Sequence, residues 1–198
     1  MRLALGNGSG VLVVVTGIGQ DAARAAAAEW VPQVRAVVVC GVAGGTGGAA
    51  GAGDVVVASG LFAGHGVSLP GVTPLELPGT VFGLVASVDA PVDSASARAA
   101  LLAEGVVAIE MEAAGWAAVC GPAHTPLIVV RGVLDTPDTP LGAAASLLRP
   151  GDRGPGLATI VAMALRPRDW SALRRTQRAA TLAEKRTAEV AAGIARGL

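Results

Sequence analysis

Short apolar runs alternate along this chain with Ala-rich stretches of helical length, and that alternation sets the expected fold. Val11-Leu12-Val13-Val14-Val15 predicts a strand that closes at Thr16. Gly17-Ile18-Gly19 then turns the chain into a helix over Gln20 to Trp30. A second strand, Ala36 to Cys40, runs into a glycine-rich loop from Gly41 to Gly53. Asp54 to Ala58 and Val81 to Ser87 read as further strands. Ser94 or Ser96 is expected to cap a helix that ends near Glu104 and Gly105. Strand over Val106 to Ile109, helix over Glu112 to Cys120 and strand over Leu127 to Arg131 follow. Continuous Val and Ile content is what a strand shows when helices cover both its faces. The expectation is therefore one α/β domain, a three-layer α/β/α sandwich around a mixed, mainly parallel sheet.

After Pro137 the pattern changes. Pro137 to Pro155 reads as loop or short helix, and Gly156 to Leu165 and Asp169 to Leu198 as helix. Trp170, Leu173, Val190, Ile194 and Leu198 form a thin apolar stripe at near-helical spacing. Charge divides at the same place. Residues 1–148 carry 5 Arg and no Lys against 11 acids, while residues 149–198 carry 10 basic residues against 4 acids. The basic segment, with Trp170 among Arg166, Arg168, Arg174, Arg175 and Arg178, suits either weak contact with an anionic membrane surface or pairing with the acidic body. Pairing is the simpler expectation, because the two imbalances cancel.

Composition narrows the class further. The chain is 52% hydrophobic with a mean hydropathy of +0.58, an excess drawn mostly from Ala and Val. No uninterrupted apolar stretch reaches the roughly 18 residues a membrane helix needs. Met1 to Gly10 has no apolar core of a secretion signal, so the cytoplasm is the expected compartment. Cys40 and Cys120 lie in apolar runs and are expected to be small buried hydrophobes. His65 and His124 stand alone, and no metal-ligand spacing or cofactor fingerprint is present, so neither metal nor cofactor is expected.

Three segments carry candidate chemistry. Thr16-Gly17-Ile18-Gly19 joins a strand to a helix, where glycines let a ligand approach the backbone. As a dinucleotide fingerprint it fails: the third glycine would stand at position 22, which is Ala22, so a Rossmann oxidoreductase is disfavoured. Gly41-Val42-Ala43-Gly44-Gly45, followed by Gly53-Asp54-Val55-Val56-Val57, lies at the carboxyl end of a strand, where open α/β sheets bind ligands. The third is Glu110-Met111-Glu112-Ala113-Ala114 with Arg131-Gly132-Val133-Leu134-Asp135-Thr136-Pro137-Asp138. Read singly, such acids are helix-start or turn residues. Together they are expected to converge on one pocket.

In this order and spacing, the three segments resemble the nucleoside phosphorylase and methylthioadenosine/adenosylhomocysteine nucleosidase family over about residues 10–140. Ser87-Val88-Asp89-Ala90-Pro91-Val92 and the basic tail are most similar to the branch associated with hopanoid biosynthesis. The resemblance implies cleavage of the N-glycosidic bond of a purine nucleoside, with adenine the expected base. It implies Asp135 as the acid toward the purine, Asp138 as second choice, Glu112 as acceptor for the ribose hydroxyls and Met111 as the side chain packed on the sugar. Ala43, Gly44, Gly17 and Gly19 would line the site with backbone. Arg131 would bury an ion pair that positions the acid loop, and Glu110 would serve structure.

Three departures bear on the reaction, one of them Pro91 in the stretch where the family offers an aromatic residue to stack on the purine. Family members begin with a further strand and acidic loop that supply the water-activating Glu, which Met1 to Asn7 does not provide. Val42 replaces a common Ser, which disfavours phosphate as nucleophile and leaves water. The expected partner is a small purine nucleoside, with assembly as a homodimer or higher homo-oligomer. The alternative is a catalytically weakened member that binds nucleoside or adenine.

Overall fold

The computed structural model describes residues 2–4, 10–62, 68–69, 71–138 and 170–197. The strands are β1 (Arg2–Ala4), β2 (Leu12–Val14), β3 (Val37–Gly45), β4 (Val55–Phe62), β5 (Ser68–Leu69), β6 (Val81–Ser87), β7 (Val106–Glu110) and β8 (Leu127–Asp135). The helices are α1 (Gln20–Trp30), α2 (Ala95–Ala103), α3 (Ala113–Cys120) and α4 (Trp170–Gly197). β1 and β2 pair as an antiparallel hairpin apart from the main sheet.

The main sheet runs β5-β4-β6-β7-β3-β8, and β8 pairs back onto β4. β3 is parallel to β8, and β4, β6 and β7 are parallel to one another; β3–β7 and β4–β8 are antiparallel. The α/β fold and the mixed, mainly parallel pairing are as expected from sequence. An open sheet between two helical layers is not how these strands close. Val130, Arg131 and Gly132 pair with Cys40, Gly41 and Val42 on one side and with Val57, Val56 and Val55 on the other. That double pairing turns the sheet into a ring of β4, β6, β7, β3 and β8, with β5 on its margin.

Strand side chains alternate between faces, and both faces are apolar. Val56, Ala58, Leu127, Val129 and Val133 join Ala23 and Ala27 of α1 and Ala113, Trp116 and Ala117 of α3 in one cluster. Val55, Val57, Ile128 and Val130 join Ile194 and Val190 of α4 in another. This two-sided burial is why the strands read as unbroken Val and Ile runs.

Close approach between layers depends on small residues. A Cβ on Gly132 would stand 2.7 Å from both the Ala183 Cβ and the Thr187 Oγ1, so α4 rests directly on the β8 backbone. A Cβ on Gly115 would stand 3.0 Å from the Ala23 Cβ and from the Arg24 nitrogen, so α1 and α3 touch at their backbones.

Several boundaries differ from expectation for identifiable reasons. β3 continues through Gly41–Gly45, and β8 continues to Asp135, because Gly41 and Gly44 pair with Arg131 and Asp135 of β8, across a register shift at Ala43/Gly44, and Gly45 pairs with Ala108 of β7. Cys40 is exposed, not buried, while Cys120 is buried and its thiol is pushed up to about 11 by that burial. Ser94 caps α2 by accepting the Ala97 N–H. Within the stripe expected on the tail, Ile194 is buried and Val190 half-buried, and Arg186 donates to the Gly53 carbonyl at 3.3 Å. His65, residues 139–169 with Arg166 and Arg168, and the side chains of Trp170, Leu173, Arg174, Arg175 and Arg178 lie outside the described residues, as does Leu198. Among the described residues, no helix is long and apolar enough to cross a membrane.

Gly115→Ala should destabilise the protein by about 1–3 kcal/mol, the usual cost of overpacking a tight contact. Urea unfolding measures it, and an unchanged midpoint would mean that α1 and α3 can part freely.

Candidate active site

The β7–α3 junction folds around a buried ion cluster. Glu110, the last residue of β7, is 3% exposed and turns its carboxylate onto the start of α3. It accepts the Glu112 N–H at 3.0 Å and the Ala113 N–H at 2.9–3.0 Å. Ser87 Oγ accepts the Ala114 N–H at 3.0 Å. The first N–H groups of α3 are thus satisfied by side chains of the protein itself.

Arg131 of β8 completes the cluster. Its guanidinium is buried, donates to Glu110 Oε2 through Nη2 and reaches Glu112 Oε2 at 3.3 Å. Room for it comes from Gly41, its register partner on β3, where a Cβ would collide with Arg131 Nη1. The expected ion pair at Arg131 is present, but it holds the Glu110–Glu112 segment, not the loop of Asp135.

Glu112 also binds the glycine turn. The Gly19 N–H donates to its Oε1 at 3.0 Å, a contact spanning 93 residues of sequence. Gly17 and Gly19 have φ of 96° and 101°, a conformation side chains rarely adopt, which accounts for both glycines. Burial raises the Glu112 carboxyl above its ordinary value, and Glu110 adds to this, against the opposing pull of Arg131 and the Gly19 N–H. Met111, between the two acids, is buried.

Asp135 sits in a second ion pair. Its side chain is 1% exposed, and Oδ2 accepts from Arg98 Nη2 of α2 at 2.7 Å. Arg98 also donates to the Gly45 carbonyl at 3.0 Å and, through Nε, to the Val92 carbonyl at 2.8 Å. Gly44 pairs with Asp135 across β3 and β8, and a Cβ there would stand 3.1 Å from Asp135 Oδ1 and 3.3 Å from Arg98 Nη2. Ala43, one residue back, is buried and paired with Val133. Asp138 is exposed in the turn beyond.

The candidate residues therefore form two groups, Gly19–Glu112–Arg131–Glu110 and Gly44–Asp135–Arg98. They are linked along β8, where Arg131 and Asp135 stand about 13 Å apart at the usual rise per residue. A cavity of about 740 Å³, lined by Val72, Ala117, Cys120 and His124 among others, lies at the far end of α3 and includes neither acid. Among the described residues, no group of three or more His, Cys, Asp or Glu is placed to hold a metal ion.

Arg98 was not legible as a site residue, though a signal existed. It is the lone charge in the helix Ala-Ser-Ala-Arg-Ala-Ala-Leu-Leu-Ala, and an isolated charge on an apolar helix asks for a buried partner.

Part of the sequence and the fold of the chain are similar to known proteins. Residues 76–154 match the model of the Phosphorylase superfamily. That span contains Arg98, Glu110, Glu112, Arg131 and Asp135. Among solved structures, a 5′-methylthioadenosine/S-adenosylhomocysteine nucleosidase from Colwellia psychrerythraea, in complex with adenine, is 28% identical with a TM-score of 0.53. The match covers 66% of this chain and 68% of that one. An S-adenosylhomocysteine nucleosidase from Streptococcus pyogenes, in complex with 5-methylthiotubericidin, is 25% identical over 64% of this chain and 67% of its own, with a TM-score of 0.55. A futalosine hydrolase mutant of Helicobacter pylori is 25% identical over 62% and 69%, with a TM-score of 0.51. No curated protein matches the chain in sequence.

The raised Glu112 carboxyl has a consequence for stability. A group whose folded value exceeds its unfolded one stabilises fully below the unfolded value and loses that contribution as pH rises through the folded one. Glu112→Gln removes this loss. Its melting temperature relative to wild type should therefore climb as pH rises from about 4 toward neutrality. A difference that stays flat or falls over that range would contradict the burial-driven shift.

Proposed function

We propose that this chain cleaves the N-glycosidic bond of a purine nucleoside, with water as the nucleophile and adenine as the released base. The observation that carries the reading is the pair of arginine-held carboxylates, Glu112 at the start of α3 and Asp135 at the end of β8, in a fold shared with nucleosidases and a futalosine hydrolase. The substrate class is an adenosine with a 5′ extension, of the methylthioadenosine/adenosylhomocysteine type or a ribosylated hopanoid. The Ser87–Val92 stretch supports the hopanoid branch. Ser87 and Val92 both serve the site through the α3 start and Arg98.

In the proposed reaction the bond between the sugar and the purine nitrogen breaks with its electrons passing to the base. Asp135 delivers a proton to the purine as that charge develops. Positive charge grows on the ribose, whose hydroxyls donate to Glu112, and Met111 packs against the sugar. Water then adds to the sugar carbon and its surplus proton passes to solvent, from which Asp135 regains the proton it gave to the base. Gly17, Gly19, Ala43 and Gly44 supply backbone walls. The partner copy of a homo-oligomer completes the site in this reading, as the apolar excess of the chain suits an interface.

A second reading is favoured by one contact. Asp135 Oδ2 accepts from a permanent cation, Arg98, so that oxygen is occupied by a donor where the reaction asks it to donate. This suits a member that binds adenine or nucleoside with slow turnover.

Adenine release from 5′-methylthioadenosine, followed by chromatography with and without phosphate, tests the proposal. Release that is independent of phosphate is expected. Release that requires phosphate contradicts hydrolysis, and adenine binding without any release selects the second reading.

Asp135→Asn should abolish release while the fold is retained, since the amide cannot deliver the proton. Turnover near wild type would remove Asp135 from the role. Glu112→Gln should cost about 2–5 kcal/mol in substrate binding with a ribonucleoside and less with the 2′-deoxy form. Equal losses for the two would remove the ribose assignment.

A further inference from the structure

We propose that Arg98 is a positioning residue that sets the place of the Asp135 carboxyl group and ties it to the ends of β3 and of the loop before α2. The proposal rests on base cleavage as the function, and it concerns a residue that the reaction chemistry alone does not call for.

Three separate segments meet at one guanidinium. Nη2 donates to Asp135 Oδ2 at the end of β8, Nη1 to the Gly45 carbonyl at the end of β3, and Nε to the Val92 carbonyl ahead of α2. Arg98 is 7% exposed, and the carboxyl it holds is 1% exposed. A planar guanidinium offers its donors in a fixed fork, so three acceptors in three directions define its orientation and, through it, that of Asp135.

The neighbouring glycines point the same way. Gly44 has a bare Cα where the Asp135–Arg98 pair lies, and Gly48 has one where Leu102 of α2 lies, a Cβ being 2.5 Å from Leu102 Cδ1. The glycine-rich segment is thus filled by side chains of α2 and β8, and α2 acts as a clamp across the ends of β3 and β8. Stability alone is a poor reason for a charge at this place. Apolar residues of similar volume hold buried segments together as well as an ion pair does, because desolvation offsets the attraction. What a guanidinium adds is direction at the carboxyl oxygen.

Arg98→Met and Arg98→Lys separate positioning from support. With 5′-methylthioadenosine as substrate, Arg98→Met should lower kcat by about ten- to a hundred-fold, as a carboxyl misplaced by about 1 Å would. KM should change by less than about three-fold, because an interaction confined to the transition state leaves ground-state binding alone. Arg98→Lys, which can still donate to Asp135, should recover part of the lost kcat. The proposal is overturned if both variants, folded with matched melting temperatures, lose kcat equally, or if neither loses any. Should Arg98→Met fail to fold, Arg98→Lys decides: lowered kcat at constant KM supports positioning, and raised KM at constant kcat overturns it. If the wild-type chain releases no adenine, base cleavage itself fails. Positioning is then read from crystal structures of the wild type and Arg98→Lys. A displaced Asp135 carboxyl upholds it, and an unmoved one overturns it.

Discussion

One guanidinium, that of Arg131, holds together the part of the molecule on which the candidate chemistry depends. It lies over the bare Cα of Gly41, bonds Glu110 and reaches Glu112 at 3.3 Å. Glu110 in turn closes the start of α3, and Glu112 accepts the Gly19 N–H of the turn into α1. Four elements, β3, β7, β8 and α3, and the entry to α1 therefore meet at a single buried cation. Removing one partner of such a pair costs about 3–5 kcal/mol, because it leaves an uncompensated charge away from water.

The ring closure of the sheet places that cation. β8 is bonded on both edges at Val130, Arg131 and Gly132, so its backbone has no freedom to drift. From this fixed strand, Arg131 and Asp135 extend to two separate partners, the acids of β7–α3 and Arg98 of α2. Each pairing needs a glycine opposite, Gly41 for the first and Gly44 for the second. Gly41 and Gly44 are sockets for charged side chains within Gly41–Gly45, the part of the glycine-rich run that is strand where its composition suggests loop.

Much of this was legible in the chain. Unbroken Val and Ile runs marked the two-sided strands, and α1, α2 and α3 fall within a residue or so of where the alternation and Ser94 put them. Singly, the acids of the E-M-E segment and Asp135 read as helix-start or turn residues, and they stood out only through the family resemblance that their order and spacing with the glycine segments carry. What was not legible depended on pairing between distant segments. The β4–β8 contact that closes the ring leaves no mark on either strand, since both are apolar regardless of their neighbours. The exposure of Cys40 is likewise invisible in a Val-rich run. The lone charge of α2 hinted at a buried partner for Arg98, but not at which one, since Asp135 lies 37 residues on.

The central claim is that the two arginine-held acids bracket a purine nucleoside, with the base at Asp135 and the sugar at Glu112. The most direct test is a crystal structure of the chain with adenine bound. The account predicts the purine ring against Asp135 and Gly44, with Glu112 beyond it toward the Gly17–Gly19 turn. Adenine seated elsewhere, such as the cavity at the far end of α3 near His124, would contradict it.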